Sequence, residues 1–394
     1  MSAVVHIITA LERGGAQRIA LETVAQLHHH DRPQWLITGS FGDTALIEEA
    51  RERLGKRLII VPALNRPIQP RQDAQAFVGI YRCLRQLSQS LGTPLVVHTH
   101  SSKAGVLGRL AAHAVGNCHI IHTVHGFGFG VASTRSQWLL EAAERMAGAV
   151  TNVLIFVSES DRDLALRLKL APKATYQIIR AALDPAPFVA LRKNLTIRAE
   201  ARHQWNIPED VPLIVTVANC KPQKDPLFHI EVFKEFLELE PNAWFLFVGD
   251  GVLKSALVQR ITELGLTQKI VLPGFIADSR LALAAGDIFL LASRWEGLPR
   301  SVLEAMASGL PVVVRNSTGW ADELHWSKRL WSLEKDAPAS AFAQALHQAL
   351  LSKNTNTLNY QDNKTDAHFL PEEFTLDGML ERLDILYKSL YKNS

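Results

Sequence analysis

A chain of 394 residues, 47% hydrophobic and 21% charged, is long enough for two α/β domains with full cores and reads as soluble and globular. No apolar run approaches the ~18 residues of a membrane span. The three cysteines (Cys83, Cys118, Cys220) are far apart and form no C-x-x-C, which fits a reduced, cytoplasmic protein. The net charge of +3 is unevenly placed: residues 1–190 hold 20 Lys+Arg against 14 Asp+Glu, and the remainder 22 against 25. A basic first half suits an anionic partner, such as a phospholipid surface or a lipid-linked pyrophosphate. Nucleic acid fits poorly, because no Lys/Arg cluster with interleaved aromatics is present.

Met1–Ala10 lacks the basic n-region of a signal peptide and reads as a first strand. Gly14-Gly15 then turns into a helix over Ala16–Leu27. A glycine pair there lets backbone approach a ligand closely, although the pair alone reads as a plain tight turn. His28-His29-His30 cannot converge on one ion, since consecutive helical residues point three ways, and they read as a frayed helix end. Strand–helix alternation continues through QWLITG, a helix to about Leu54, RLIIVP and a helix over 71–91. In LVVHTHSSKAGVLGRLAA a strand ends at His98–His100, Ser101 and Ser102 are placed to cap a helix, and Lys103 falls in its first turn. Hydroxyls, N–H groups and a cation at a helix N-terminus form a plausible anion site, and a capped helix with a solvated lysine is the bland alternative.

HIIHTVHGFGFG places His125 at a strand end, followed by Gly126, Gly128 and Gly130. The glycines are spaced G-x-G-x-G, so the third glycine of a dinucleotide fingerprint is missing, which weakens a dehydrogenase reading. A helix over 133–147 carries Arg135, Trp138, Leu139, Leu140 and Arg145, which suits sheet packing or membrane-surface contact. The Pro185/Pro187 pair begins a linker. A second series follows: a helix near 196–205, the strand PLIVTVAN, AWFLFVGDG with a sharp turn at 249–251, and IVLPGFIAD.

Asp287–Val314 is the most informative stretch. DIFLLA is an apolar run of strand length, Gly297 and Pro299 break it, and Pro299 suits the first position of a helix. Val302, Leu303 and Met306 recur at helical spacing, Gly309 stops the helix, and PVVV is a second buried strand. The unpaired N–H groups and dipole of that helix favour a phosphate. Glu296 and Glu304, with seven residues between them, are acceptors suited to sugar hydroxyls. Phosphate and polyol together suggest a nucleotide sugar.

This unit resembles the E-x7-E signature of family 4 glycosyltransferases, and the likeness extends to the run 304–307, Gly309 and Pro311-Val312. The resemblance implies an α/β protein of GT-B fold. Two doubly wound Rossmann-like domains (1–184 on the acceptor side, 195–371 binding the nucleotide sugar) would face a central cleft, and a C-terminal helix (372–394, read from Pro371–Tyr391) would cross back to the first. Fourteen or so alternating elements agree with two parallel sheets.

The resemblance also assigns residues. Gly15, Asn219, Lys221, Lys224, Gly249, Phe275, Ile276, Glu296, Gly297, Leu298, Pro299 and Glu304 would bind the donor, and Gly14, His100, Ser101, Ser102, Lys103 and Phe127 the acceptor. Glu296, His125 and Lys224 would carry catalysis. Relatives place an Arg five residues before the Lys of the diphosphate clamp; this chain has Asn219, which supplies no charge, and Lys221 stands ready to restore it. Ala181-Ala182 replaces a usual Asn-Gly. Arg315–Leu324 and the polar stretch 353–366 carry no assigned role beyond a loop for the latter.

The implied activity is retaining transfer of a hexose or N-acetylhexosamine from a UDP-linked sugar to a lipid-linked or polysaccharide acceptor. No metal is required, since no Asp-x-Asp has strand-end context. The implied place is the cytoplasm, peripheral on the inner membrane face, in surface polysaccharide assembly. The alternatives are a nucleotide-sugar epimerase of the same fold and a catalytically silent scaffold subunit.

Overall fold

The computed structural model describes residues 3–12, 14–29, 31–127, 134–192, 194–355 and 370–392. The chain divides into two compact units, Met1–Ala182 with Leu376–Ser394, and Leu183–Thr375.

In the first unit seven parallel strands, β1 (Ala3–Ile7), β2 (Gln34–Thr38), β3 (Leu58–Ile60), β4 (Leu95–His100), β5 (Cys118–Val124), β6 (Val153–Phe156) and β7 (Thr175–Ile178), lie in the order β3-β2-β1-β4-β5-β6-β7. The connecting helices are α1 (Gly15–Gln26), α2 (Thr44–Leu54), α3 (Pro70–Leu91), α4 (Ser102–Val115), α5 (Thr134–Gly148) and α6 (Glu159–Leu168). Near-continuous apolar runs suit strands covered on both faces. One face of β1 and β4 (Val5, Ile7, Val97) packs on Ile80 and Leu84 of α3, and a second cluster joins Ile8 and Leu36 to Ala20 and Val24 of α1.

In the second unit six parallel strands, β8 (Leu213–Val217), β9 (Trp244–Val248), β10 (Ile270–Gly274), β11 (Ile288–Leu291), β12 (Val312–Asn316) and β13 (Leu330–Glu334), follow the order β10-β9-β8-β11-β12-β13. Its helices are α7 (Ala186–Arg192), α8 (Leu195–Gln204), α9 (Pro226–Leu237), α10 (Lys254–Glu263), α11 (Arg280–Ala285), α12 (Arg300–Ala307) and α13 (Ala339–Thr355). Asp287, just before β11, ties this sheet to α8: it accepts from Arg198 (2.8 Å), the buried Arg202 (2.7 Å) and the Leu213 amide (2.9 Å). Removing one partner of so buried a pair typically costs about 3–5 kcal/mol.

The last helix, α14 (Leu376–Lys392), belongs to the first unit, where Arg32 pairs with Asp384 and the Tyr387 hydroxyl meets His98 Nδ1 at 2.7 Å. It starts five residues later than the expected Pro371, because Glu372–Phe374 form a single 3-10 turn whose Phe374 packs on Trp326 in the second unit.

Other differences are local. Residues 353–355, expected as loop, complete α13, and 356–369 lie outside the described residues. The helix ends before the histidine triplet, and His28 Nδ1 instead accepts from the Gln34 amide; His30 lies outside the described residues. Pro299 is the cap residue before α12, one position earlier than expected. Gly309 does end that helix, at φ 73°, a conformation costly for residues with a Cβ. Among the described residues no helix is long and apolar enough to cross a membrane.

Both sheets reverse their winding once, between β1 and β4 and between β8 and β11. In open parallel sheets, ligands bind beyond the carboxyl ends of the strands at such a switch point. The loops that follow those strands are therefore the place for a ligand in each unit.

Candidate active site

In the second unit the loops after β8, β11 and β12 are stitched together by hydrogen bonds to backbone carbonyls. The Arg294 amide donates to the Gln223 carbonyl (2.8 Å), the Gln223 side chain donates to the Trp295 carbonyl (3.1 Å), and the Thr318 hydroxyl donates to the Glu296 carbonyl (2.9 Å). This framework brings together two residues 72 apart in sequence: the Lys224 ammonium donates to a Glu296 carboxylate oxygen in a short ion pair. Their side chains retain only 17% and 8% exposure, so the pair is largely desolvated and its charges interact strongly.

The rest of the expected donor set surrounds it. Gly297, Leu298 and Pro299 are buried beneath the loop, and Lys221 is half-buried, its ammonium without a partner among the described residues. Asn219 is half-buried, and its carbonyl accepts from the Lys221 amide at 2.8 Å. Glu304 is already held: Arg300 Nε donates to one carboxylate oxygen and the Ser279 hydroxyl to the other, both at 3.0 Å. Gly249 is required by packing, since a Cβ there would stand 1.8 Å from the Ala218 carbonyl oxygen. Its amide donates to Gly274 (2.9 Å), which leads into an exposed Phe275 and a half-buried Ile276.

Three contributors to this site were not legible beforehand. Asp225, in the left-handed conformation at φ 48°, accepts from Arg294 (3.1 Å) and Arg315 (3.0 Å). Burial pushes its carboxyl upward, but these hydrogen bonds outweigh it and hold the group below its ordinary value. Arg315, from the stretch left unassigned, is buried with its guanidinium 4.1 Å from the centre of the Phe228 ring. His229 bridges the two loops, donating from Nδ1 to the Asp225 carbonyl (3.0 Å) and accepting the Ala292 amide at Nε2 (3.0 Å).

In the first unit, Gly14 is the cap residue of α1, with Gly15 first in the helix. Ser101 does not cap α4: its φ of 61° turns the hydroxyl to Thr9, whose own hydroxyl lies 2.8 Å away and accepts the Ala104 amide at 3.2 Å. The loop after β1 thus caps a helix that follows β4, and Ser102 is simply its first residue. Lys103 is not a free cation either. Its ammonium donates to the Asp73 carboxylate and the Pro67 carbonyl. Phe127 is half-buried, its ring centre 6.4 Å from that of Phe156 at the edge of a core cluster and its amide donating to Asp161 (3.3 Å). Gly128 and Gly130 lie outside the described residues.

What gathers at the β1/β4 switch point is a set of histidines. His6, His98 and His100 are buried, His125 is half-buried, and His6 and His100 stack with ring centres 5.4 Å apart. Burial disfavours the charged form of each ring. Burial pulls His6 and His125 to about 4, and takes His98, His100 and His122 well below the ordinary value. Only His100 and His125 were singled out from sequence; the i, i+2 alternation of His98 and His100 on one strand was the available signal for the cluster.

Two Rossmann-like units with ligand-type side chains at their switch points define a GT-B glycosyltransferase. Residues 13–186 match the model described as Glycosyltransferase Family 4, and residues 197–365 that of Glycosyl transferases group 1. The chain is 31% identical over 271 residues to the Escherichia coli UDP-Gal:alpha-D-GlcNAc-diphosphoundecaprenol alpha-1,3-galactosyltransferase, covering 67% of each. It is similar in fold to a glycosyltransferase from Rickettsia africae (TM-score 0.78, 19% identity, 100% of this chain and 99% of that one). It is also similar in fold to Anabaena HepE in complex with UDP (TM-score 0.75, 16% identity, 99% and 100%). The chain belongs to glycosyltransferase family 4, and it is an enzyme of glycosyl transfer; the epimerase and scaffold alternatives are not favoured.

The neutral histidines make stability pH-dependent. Their folded pKa values lie below 6.5, so the unfolded chain binds more protons between about pH 6.5 and 4. Stability is expected to be full above pH 7 and to fall through that window, by at most about 1.4 kcal/mol per pH unit for each such histidine. Thermal unfolding at pH 7, 6 and 5 checks this: the midpoint should drop, and His6→Phe should flatten the drop.

Proposed function

We propose that the enzyme transfers a hexose or N-acetylhexosamine, with retention, from a UDP-sugar to a hydroxyl of a lipid-linked saccharide. The observation that carries this reading is the Lys224–Glu296 pair at the second switch point. A donor diphosphate competes with Glu296 for Lys224. Once the lysine has turned to phosphate, Glu296 is free to accept hydrogen bonds from the hydroxyls of the sugar. The similarity to a galactosyltransferase named for UDP-Gal and a diphosphoundecaprenol-linked acceptor supports the donor and acceptor classes.

In the transfer, the bond from the anomeric carbon to the diphosphate oxygen breaks while an acceptor hydroxyl oxygen attacks from the same face. Its proton passes to the departing phosphate oxygen, so no separate base is needed. Lys224, helped by Lys221, neutralises the growing charge on the diphosphate, and we assign this work to protein cations with no metal. Glu304, held by Arg300 and Ser279, keeps lone pairs for the ribose hydroxyls. His125 would position the sugar and acceptor.

Lys224→Ala should lower kcat on the order of 100-fold or more, with a smaller loss of donor affinity. Lys221→Ala should show a milder defect of the same kind. Glu304→Ala should weaken UDP by roughly 1.5–3 kcal/mol in calorimetry, and an unchanged affinity would remove its ribose role.

We further propose that the enzyme works in the cytoplasm, docked on the inner membrane face. Trp138 and Leu139 of α5 are 68% and 61% exposed, in a half of the chain that carries the excess of basic residues. Sedimentation with acidic vesicles should fall steeply as salt rises and should weaken in Trp138→Ser. Binding indifferent to salt would contradict surface docking.

A further inference from the structure

Four adjacent strands, β2-β1-β4-β5, deliver one continuous line of hydrogen bonds across the first sheet. Gln34 opens β2, in register with Val4 and so two residues from His6 on the same face of the sheet. His98 pairs in register with His6, which sets His100 one pleat further on that face. His125 follows β5. The contacts are Gln34 Oε1 to His6 Nε2 (3.1 Å), His6 Nδ1 to His100 Nε2 (3.1 Å), and His100 Nδ1 to His125 Nε2 (3.2 Å).

The direction of this line is settled at its far end. The Gln34 amide nitrogen donates to the Leu27 carbonyl at 2.9 Å, and a carbonyl can only accept. Gln34 Oε1 is therefore the group facing His6, so His6 Nε2 carries the hydrogen. A neutral imidazole has one N–H, which leaves His6 Nδ1 an acceptor for His100 Nε2–H. The same step repeats, so His125 donates from Nε2 and keeps a bare lone pair on Nδ1, which meets no partner among the described residues. A second proton on any inner ring would set two donors face to face.

We infer that Gln34 is a positioning residue for His125, acting through His6 and His100 to fix the proton on Nε2 and present Nδ1 as an acceptor for a ligand hydroxyl. The functional half rests on the proposed role of His125 in positioning sugar and acceptor; the tautomer does not. One nitrogen each of His6, His98 and His100 also falls within 4.8 Å of the others, close enough to suggest a metal. Their ring nitrogens are already matched, however: those of His98 lie 2.7 Å from the hydroxyls of Tyr387 and Thr123. An ion would have to break bonds that the relay needs.

The test is a long-range proton–nitrogen correlation spectrum of the full chain labelled with ¹⁵N-histidine at pH 7.5, with His125 assigned by its loss in His125→Gln. The expected result is a neutral Nε2–H form for His6, His100 and His125, unmoved by one equivalent of Zn²⁺. A charged or Nδ1–H His125 in the wild-type protein overturns the relay, and zinc-dependent shifts at His6, His98 and His100 overturn it in favour of a metal centre. Gln34→Met, which removes both amide bonds, should bring in the Nδ1–H form of His125 and lower kcat roughly tenfold with little change in KM. Gln34→Glu, which when protonated repeats both bonds, should restore the tautomer and most of the rate. An unchanged His125 tautomer in Gln34→Met also overturns the relay. Wild-type turnover in His125→Gln would instead defeat the sugar-positioning role, whatever the tautomer.

Discussion

The second unit depends on a charge balance between two loops. Lys224 follows β8 and Glu296 follows β11, and each neutralises the other in a site with little solvent. Burying either charge alone would be costly, which is why the framework through Gln223, Arg294 and Thr318 matters. It holds two opposite charges at the spot where, in the proposed reading, a diphosphate and a sugar each take one of them. The pair also means that a stray anion must displace Glu296 to reach the lysine. Nearby, Asp225 binds Arg294 and Arg315, so these two cations are likewise matched by a carboxylate that belongs to the protein.

The first unit solves a different problem with the same topology. At its switch point the fold places neutral, hydrogen-bonded imidazoles instead of paired charges. Desolvation keeps them neutral near pH 7, and neutrality lets each ring act as donor on one side and acceptor on the other. Tyr387, carried in by α14, supplies one hydroxyl partner, so the last helix of the chain helps to organise the strand ends of the first unit.

Much of this was legible in the sequence because it is local. The run from Asp287 to Val314 announces β11, α12 and β12 through its own punctuation, with Gly297 and Pro299 before the helix and Gly309 after it. Helix α3 shows itself by Ala76, Ile80 and Leu84 at four-residue spacing and ends at Gly92. What was not legible is pairwise and long-range. Nothing in the spacing shows that Lys103 finds Asp73 thirty residues earlier, or that Arg315 finds Asp225 ninety residues away. Ser101 carries the right residue type for a cap, but its backbone adopts φ 61° and Thr9, from the loop after β1, takes the role. Residue type set the chemistry, and strand order decided which groups could meet.

In the proposed mechanism Lys224 exchanges Glu296 for the donor diphosphate. A double-mutant cycle on UDP affinity, with Lys224→Met and Glu296→Gln, tests it most directly, because the cycle isolates the energy linking the two side chains. If the exchange occurs, Glu296→Gln should tighten UDP by releasing the lysine, and this gain should vanish when Lys224 is Met. An identical effect of Glu296→Gln in both backgrounds would mean that the two residues act independently on the donor, and would contradict the account.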